Sequence, residues 1–324
     1  MASLVTTSIK TILAIIQIFL APFVVLFERP DPRWGYFDAL FQRMMQFYTP
    51  LGVGFMRYGF AFYGRLQRLV YGPTEVVDSP DVKGDKDEAC VIVLFIHGGG
   101  FVCGTADSTS LGFFYPLLQA LKKAGVASVR IFSVEYDLAP EFPYPTAPDQ
   151  SYRVYKWLLA KGIPSRKIIV MGDSAGGNCA MSLMQRAVKE GVPTPACSVL
   201  ISPWLELNMT KPSYSAKTDT FIRATVSSWR DIYLNGNLDL VNNASPFYQS
   251  LQGLPPLMVV YGQKELMVDD LVEFVANAKS NGVDTTALSH PYLYHDYLFF
   301  PLGKAANDAI SAIAHFILLK VPSL

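Results

Sequence analysis

At 324 residues, with 51% apolar and 17% charged side chains, the chain suits one large α/β domain with additions. Its formal net charge of +0 provides no long-range field for nucleic acid, and no Lys/Arg-rich run or nucleic-acid module is visible. The 4 cysteines, Cys90, Cys103, Cys179 and Cys197, lack the spacing of a zinc site or a dense disulfide framework. They read as small buried apolar residues, with a single disulfide left open.

Residues 11–27 are uncharged and almost wholly apolar, broken only by Gln17 and Pro22. That is near the lower limit for a bilayer span. No small-x-small cleavage site closes the segment, so a retained anchor is expected, with a signal peptide or a docked hydrophobic helix as alternatives. Lys10 precedes it while Arg29, Arg33 and Arg43 follow, which leans towards a cytosolic C-terminal side without fixing the orientation. The sequons at Asn208 and Asn243 matter only if the domain is lumenal. Trp34, Phe37, Leu40, Phe41, Met44, Phe47 and Tyr48 fall at helical spacing and predict an amphipathic helix. A second aromatic group at 55–63, interleaved with Arg57, Arg65 and Arg68, suits either a membrane interface or a lid on the catalytic domain. Residues 78–88 form a charged, turn-rich linker. The chain therefore divides into a hydrophobic anchor or signal-like segment (1–30), an amphipathic aromatic lid region with linker (31–88), and a catalytic domain (89–324) carrying a lid insertion around 204–243.

The continuous apolar run Cys90–Ile96 predicts a strand covered on both faces, and it ends in His97-Gly98-Gly99-Gly100-Phe101. Consecutive glycines after a strand cost chain entropy unless close backbone approach is needed. A tetrahedral acyl-transfer intermediate creates that need, because its oxyanion requires fixed donors. The amides of Gly98, Gly99 and Ala175 are the candidates, and His97 is assigned a structural role holding the loop. Helical pattern over 111–124 and 147–160 alternates with extended runs over 128–135 and 167–173, which implies right-handed βαβ crossovers and a mostly parallel sheet. The last run breaks into Gly172-Asp-Ser174-Ala-Gly176, where small neighbours let the backbone turn sharply from strand to helix and present the Ser174 hydroxyl. Cys197–Ile201 and 256–261 are further short strands. Trp204, Phe221, Trp229 and Tyr233 lie between them in a segment without strand pattern, read as part of a lid.

Partners for Ser174 are sought in loops after later strands, on the same carboxyl edge. Glu265 follows the strand at 256–261, with Asp269 as a rival acid. Of the 4 histidines, His97 belongs to the glycine turn, His290 to the extended run 285–294 and His315 to a C-terminal helix, which leaves His295 as the base. The order Ser174, Glu265, His295 is nucleophile, acid, histidine. Phe101 and Trp204 suggest an apolar substrate pocket, and no metal or cofactor is required.

These motifs, together with Glu135-Tyr-Asp-Leu-Ala-Pro-Glu141 and Ser202-Pro-Trp-Leu205, resemble the hormone-sensitive lipase family of α/β-hydrolase esterases from about Cys90 to the C-terminus. The arrangement behind an N-terminal hydrophobic segment is similar to that of membrane-anchored arylacetamide and steryl-acetate deacetylases. The resemblance implies an α/β-hydrolase fold, a mostly parallel central sheet flanked by helices, with a helical lid and an N-terminal hydrophobic helix. It implies a serine ester hydrolase acting on a lipophilic, short-acyl ester, and membrane association at the endoplasmic reticulum. The family usually carries Asp where Glu265 stands, and a Tyr-Arg pair where this chain has Tyr136-Asp137. An acyltransferase using the same acyl-enzyme, and a catalytically silent small-molecule receptor on the same fold, are the alternatives.

Overall fold

The computed structural model describes residues 90–106, 111–126, 128–216, 218–299 and 304–321, with Leu40, Arg43, Met44, Gln46, Val53, Gly54, Met56 and Arg57. The predicted segment 11–27 and the linker 78–88 lie outside the described residues.

Strands β1 (Cys90–Ile96), β2 (Ser128–Val134), β3 (Ile168–Asp173), β4 (Cys197–Ile201), β5 (Leu257–Gly262) and β6 (Thr285–His290) form one parallel sheet in the order β2-β1-β3-β4-β5-β6. The β-branched runs fit a pleated surface buried on both sides, as parallel sheets require. Leu94, Val170, Leu200 and Val259 face one core with Tyr155, Leu183 and Phe274, while Phe95, Met171, Val199 and Val260 face the other with Leu117 and Ile313. The first core is covered by helices α2 (Thr146–Ala160), α3 (Ser174–Glu190) and α5 (Val268–Ser280), the second by α1 (Leu111–Ala124) and α6 (Lys304–Lys320). Each fully buried Leu, Ile or Phe on these faces contributes about 1.5–3 kcal/mol.

The chain runs from β1 outward to β2, then crosses back to β3. The reversal lies between β1 and β3, at whose carboxyl ends the glycine turn and Ser174 begin, and it is there that ligands bind in open α/β sheets. Between β4 and β5 lies helix α4 (Arg223–Tyr233) with short 3-10 turns on either side. Strand β6 stops at His290 rather than continuing to Tyr294, because Pro291 cannot donate to the ladder; the chain turns there towards His295.

No helix among the described residues is long and apolar enough to cross a membrane. The longest, α3 and α6, have 17 residues each and carry charged side chains, against about 20 apolar residues for a span. This corrects the membrane-anchored, transmembrane and endoplasmic-reticulum expectations; they find no support in the described fold, and the family resemblance stands on the domain beginning at Cys90.

Candidate active site

Ser174 sits at φ 49°, in the left-handed region, at the junction of β3 and α3. A side chain there costs of order 1–3 kcal/mol unless the surroundings hold it. Its carbonyl accepts the Trp204 N–H at 2.9 Å, and the residue is 6% exposed. The helix must also pass close to β1: a methyl on Gly176 would drive into the Ile96 carbonyl oxygen. As the second residue of α3, Ala175 has an amide with no intrahelical acceptor.

The glycine turn is tied to the elbow by Asp173, whose Oδ1 accepts the Gly98 N–H at 2.9 Å. Gly98 thus spends its amide inside the protein, unlike the expectation that it faces an oxyanion. Burial and the Asp296 charge hold the Asp173 carboxyl well above the usual range. His97 supports the turn from beneath: its Nδ1 donates to the Gly98 carbonyl at 2.8 Å and its ring stacks on Tyr136 at 4.2 Å. Burial lowers its pKa to about 4, so it is a neutral support. Tyr136 donates from its hydroxyl to the His97 carbonyl at 2.8 Å. Asp137, in place of the family's arginine, exchanges hydrogen bonds with Gln150 of α2: its amide donates at 2.7 Å and its carboxylate accepts at 2.6 Å.

In the loops after β5 and β6, Glu265 Oε2 lies 3.3 Å from His295 Nδ1, and both residues are buried. Glu265 Oε1 accepts the Ser202 hydroxyl and the Gly262 N–H, each at 2.6 Å. Asp269 instead accepts the Ser213 N–H at 2.9 Å, so Glu265 is the carboxylate set against the imidazole. His290 ends β6 beside Tyr292 and Tyr297, and His315 is exposed on α6.

Three residues that bear on the site were not assigned from the sequence. Asp219, in the β4–β5 segment, accepts the His295 N–H at 3.0 Å and the Leu266 N–H at 2.8 Å, so it fixes the backbones of both loops. Ser202, at φ 42°, links the Glu265 carboxylate to the Asp296 N–H, which it accepts at 3.1 Å. Asp296, at φ 56°, brings Oδ2 to 3.2 Å from His295 Nε2. That approach is within ion-pair reach but off the hydrogen-bond line, and Nε2 has no hydrogen-bond partner among the described residues. Burial would lower the His295 pKa, but the charges of Asp296 and Glu265 outweigh it and hold the imidazole well above its ordinary value. The Ser202-Pro-Trp pattern was the one sequence signal available; Asp219 had none.

Phe101 and Trp204 are each 1% exposed, with ring centroids 5.9 Å apart. Phe101 also stacks on Tyr233 at 3.7 Å, and Phe221 meets His295 edge-on at 5.3 Å. Aromatic side chains of the glycine turn and the β4–β5 segment thus pack on one another, and one of them, Phe221, reaches the histidine. Among the described residues no group of His, Cys, Asp and Glu is arranged to hold a metal ion.

A family model described as alpha/beta hydrolase fold (Abhydrolase_3) matches residues 93–299. An esterase of Acinetobacter venetianus is 31% identical over 233 residues, covering 70% of this chain and 75% of the relative. An acetyl-hydrolase of Streptomyces hygroscopicus is 30% identical over 227 residues, covering 68% and 74%. The crystal structure of an esterase from the bacterial hormone-sensitive lipase family superposes with a TM-score of 0.64 at 32% identity, covering 71% of this chain and 77% of that one. A hormone-sensitive lipase from a metagenome library superposes with a TM-score of 0.73 at 27% identity, covering 87% and 97%. With the strand order, the serine turn and the histidine–carboxylate pair in place, the chain belongs to the α/β-hydrolase family, as an ester-hydrolysing enzyme of the hormone-sensitive lipase group.

Proposed function

We propose that the protein is a serine carboxylic-ester hydrolase that cleaves a lipophilic, short-acyl ester through an acyl-enzyme on Ser174. The observation that carries this is the 3.3 Å approach of Glu265 to His295 Nδ1, at the sheet edge where the Ser174 turn opens. His295 Nε2 takes the Ser174 hydroxyl proton as Oγ attacks the ester carbonyl carbon. Glu265 accepts from Nδ1–H, fixes the tautomer and stabilises the imidazolium. The amides of Gly99 and Ala175 receive the oxyanion, the Gly98 amide being engaged with Asp173. His295 then protonates the leaving alcohol, and water attacks the acyl carbon with His295 again as base. Phe101 and Trp204 wall the acyl side, and the β4–β5 segment with α4 acts as a lid over it. The Streptomyces relative is an acetyl-hydrolase, which supports a small acyl group.

The test is hydrolysis of aryl esters of graded acyl length, with Ser174→Ala alongside and mass spectrometry for a serine adduct. Rapid turnover of acetyl and butyryl esters, abolished in the variant, is expected. Hydrolysis retained by a folded Ser174→Ala protein overturns the assignment. Silence across the series without an alcohol acceptor, followed by activity once one is supplied, identifies an acyltransferase.

A further inference from the structure

The carboxylate next to the catalytic imidazole has no part in a serine, histidine and acid mechanism. His295 is 1% exposed, and its Nε2 is the nitrogen that must handle protons at the reaction centre. Asp296 is the next residue in the chain, and its Oδ2 lies 3.2 Å from that nitrogen. His295 Nε2 and Asp296 Oδ1 are both shielded from solvent without a hydrogen-bond partner among the described residues. The other polar atoms around the imidazole are satisfied. Glu265 Oε1 holds the Ser202 hydroxyl and the Gly262 N–H, and Asp219 holds the His295 and Leu266 amides. Buried polar atoms are rarely left unpaired, and those that are unpaired in a catalytic centre mark where a reacting group or a water binds.

The backbone gives a second reason to regard Asp296 as placed. It lies at φ 56°, where an L side chain is costly and glycine is not. The Ser202 hydroxyl accepts its N–H at 3.1 Å, and the same hydroxyl donates to the triad carboxylate at 2.6 Å. One serine thus fixes Glu265 on the Nδ1 side of the imidazole and the Asp296 backbone on the Nε2 side.

Resting on the reading that Ser174 forms an acyl-enzyme, we infer that Asp296 is a further catalytic residue, whose carboxylate holds the hydrolytic water together with His295 Nε2 during deacylation. The water donates one O–H to Nε2 and the other to the carboxylate. Its oxygen forms a bond to the acyl carbon as the first proton passes to Nε2. The second proton stays on the new hydroxyl, which remains hydrogen-bonded to Asp296. The tetrahedral intermediate collapses with cleavage of the carbon–Oγ bond, His295 returns its proton to Ser174 Oγ, and the carboxylic acid product leaves. Attack by Ser174 itself does not involve this water, so the carboxylate acts on the second half-reaction. A held water also favours hydrolysis over transfer to an alcohol.

Asp296→Gly and Asp296→Asn test this. The glycine suits the positive φ and removes the side chain, and the asparagine keeps the volume without the charge. Rapid-quench kinetics with an aryl acetate, intact-mass detection of the acetylated protein, and partitioning between water and added methanol are measured for the full chain on the pH plateau of each protein. In both variants, deacylation is expected to slow about tenfold to a hundredfold while acylation falls by less than about threefold. The acetyl-enzyme then accumulates after a burst, kcat and KM fall together, and the proportion of methyl acetate rises. Acylation and deacylation falling equally, or deacylation and partitioning unchanged from wild type, overturn the proposal while leaving the serine mechanism intact. If neither wild type nor variants form a Ser174 adduct, the serine-hydrolase reading fails and this role for Asp296 fails with it.

Discussion

The Gly98 amide donates to Asp173 Oδ1 at 2.9 Å, joining the turn after β1 to the residue before Ser174 across 75 positions of sequence. A methyl on Gly98 would collide with the Asp173 side chain, which shows how closely the two segments are seated. Since burial and Asp296 together favour the uncharged Asp173, the neutral isostere should serve almost as well. Asp173→Asn is expected to keep stability near wild type and to retain most of kcat/KM. Asp173→Ala orphans the buried Gly98 N–H, at a cost of about 1–3 kcal/mol. It also releases the turn that carries Gly99, with a loss of about a hundredfold in kcat/KM. Urea unfolding and initial rates on an aryl acetate check both; an alanine variant as stable and active as wild type would show that the contact positions nothing.

Ser202 holds the Glu265 carboxylate by donating to it at 2.6 Å, and holds the Asp296 backbone by accepting at 3.1 Å. Its φ of 42° makes glycine the more telling replacement. Ser202→Gly removes the hydroxyl while relieving the backbone, so its folding cost should stay below about 2 kcal/mol. Its effect on kcat should be larger, about tenfold, because Glu265 loses one of its restraints. A thermal melt beside steady-state kinetics separates the two effects. Equal kcat in variant and wild type would assign Ser202 to folding alone.

How far the sequence could be read follows the physics of each element. The six parallel strands were legible because continuous apolar runs separated by helical periodicity admit few topologies. The strand-to-helix turn at Ser174 was legible because it needs small residues at fixed offsets, and the loop carrying His295 because few histidines compete for the sheet edge. Glu265 was read as the acid but not separated from Asp269, because that separation depends on where α5 begins: Asp269 lies in its first turn, facing the Ser213 amide, while Glu265 precedes it. Asp219 was hidden for another reason. It acts on the backbone amides of His295 and Leu266 from a segment without periodicity, and an amide contact leaves no residue pattern behind. The commitment of the Gly98 amide was likewise invisible, since one amide in a glycine run has the same sequence signature whether it faces an oxyanion or Asp173.

Asp219 also gives a stability prediction with a definite sign. Burial, reinforced by the Glu265 charge against the opposing influence of His295, raises it from 3.8 to about 6. An acid whose folded pKa lies above its unfolded value binds its proton more readily when folded. Its contribution is therefore full below about 3.8 and lost as pH rises through about 6. Asp219→Asn cannot titrate, so the difference in unfolding free energy between wild type and variant should move against wild type across that window, on the order of 3 kcal/mol in all. Urea unfolding at a series of pH values measures it. A pH-independent difference would mean that the carboxyl does not change protonation on folding.

In the proposed mechanism His295 must be neutral to take the Ser174 proton, so its ionisation is expected to set the pH dependence of activity. Burial alone would lower its pKa, but the Asp296 charge and contact, followed by those of Glu265, prevail and hold it well above 6.5. Asp219 and Asp173 add their carboxyls from the β4–β5 segment and the end of β3, and Phe221 closes the remaining side without charge. The base form is therefore reached at higher pH than for an ordinary imidazole. The expected profile of kcat/KM has its acid limb above 6.5. Asp296→Asn removes the largest charge favouring protonation, so its acid limb should move to lower pH. Because kcat/KM reports acylation, that displacement is separable from any effect on deacylation. Stability runs the other way. A histidine with a raised folded pKa contributes fully below 6.5 and loses its contribution as pH rises through the folded value, so the wild-type melting temperature should fall over the range in which activity grows. Rate profiles and thermal melts over the same buffers test the opposition directly, and an acid limb at or below 6.5 in the wild type would place neutral imidazole, not the ion-paired form, in the resting site.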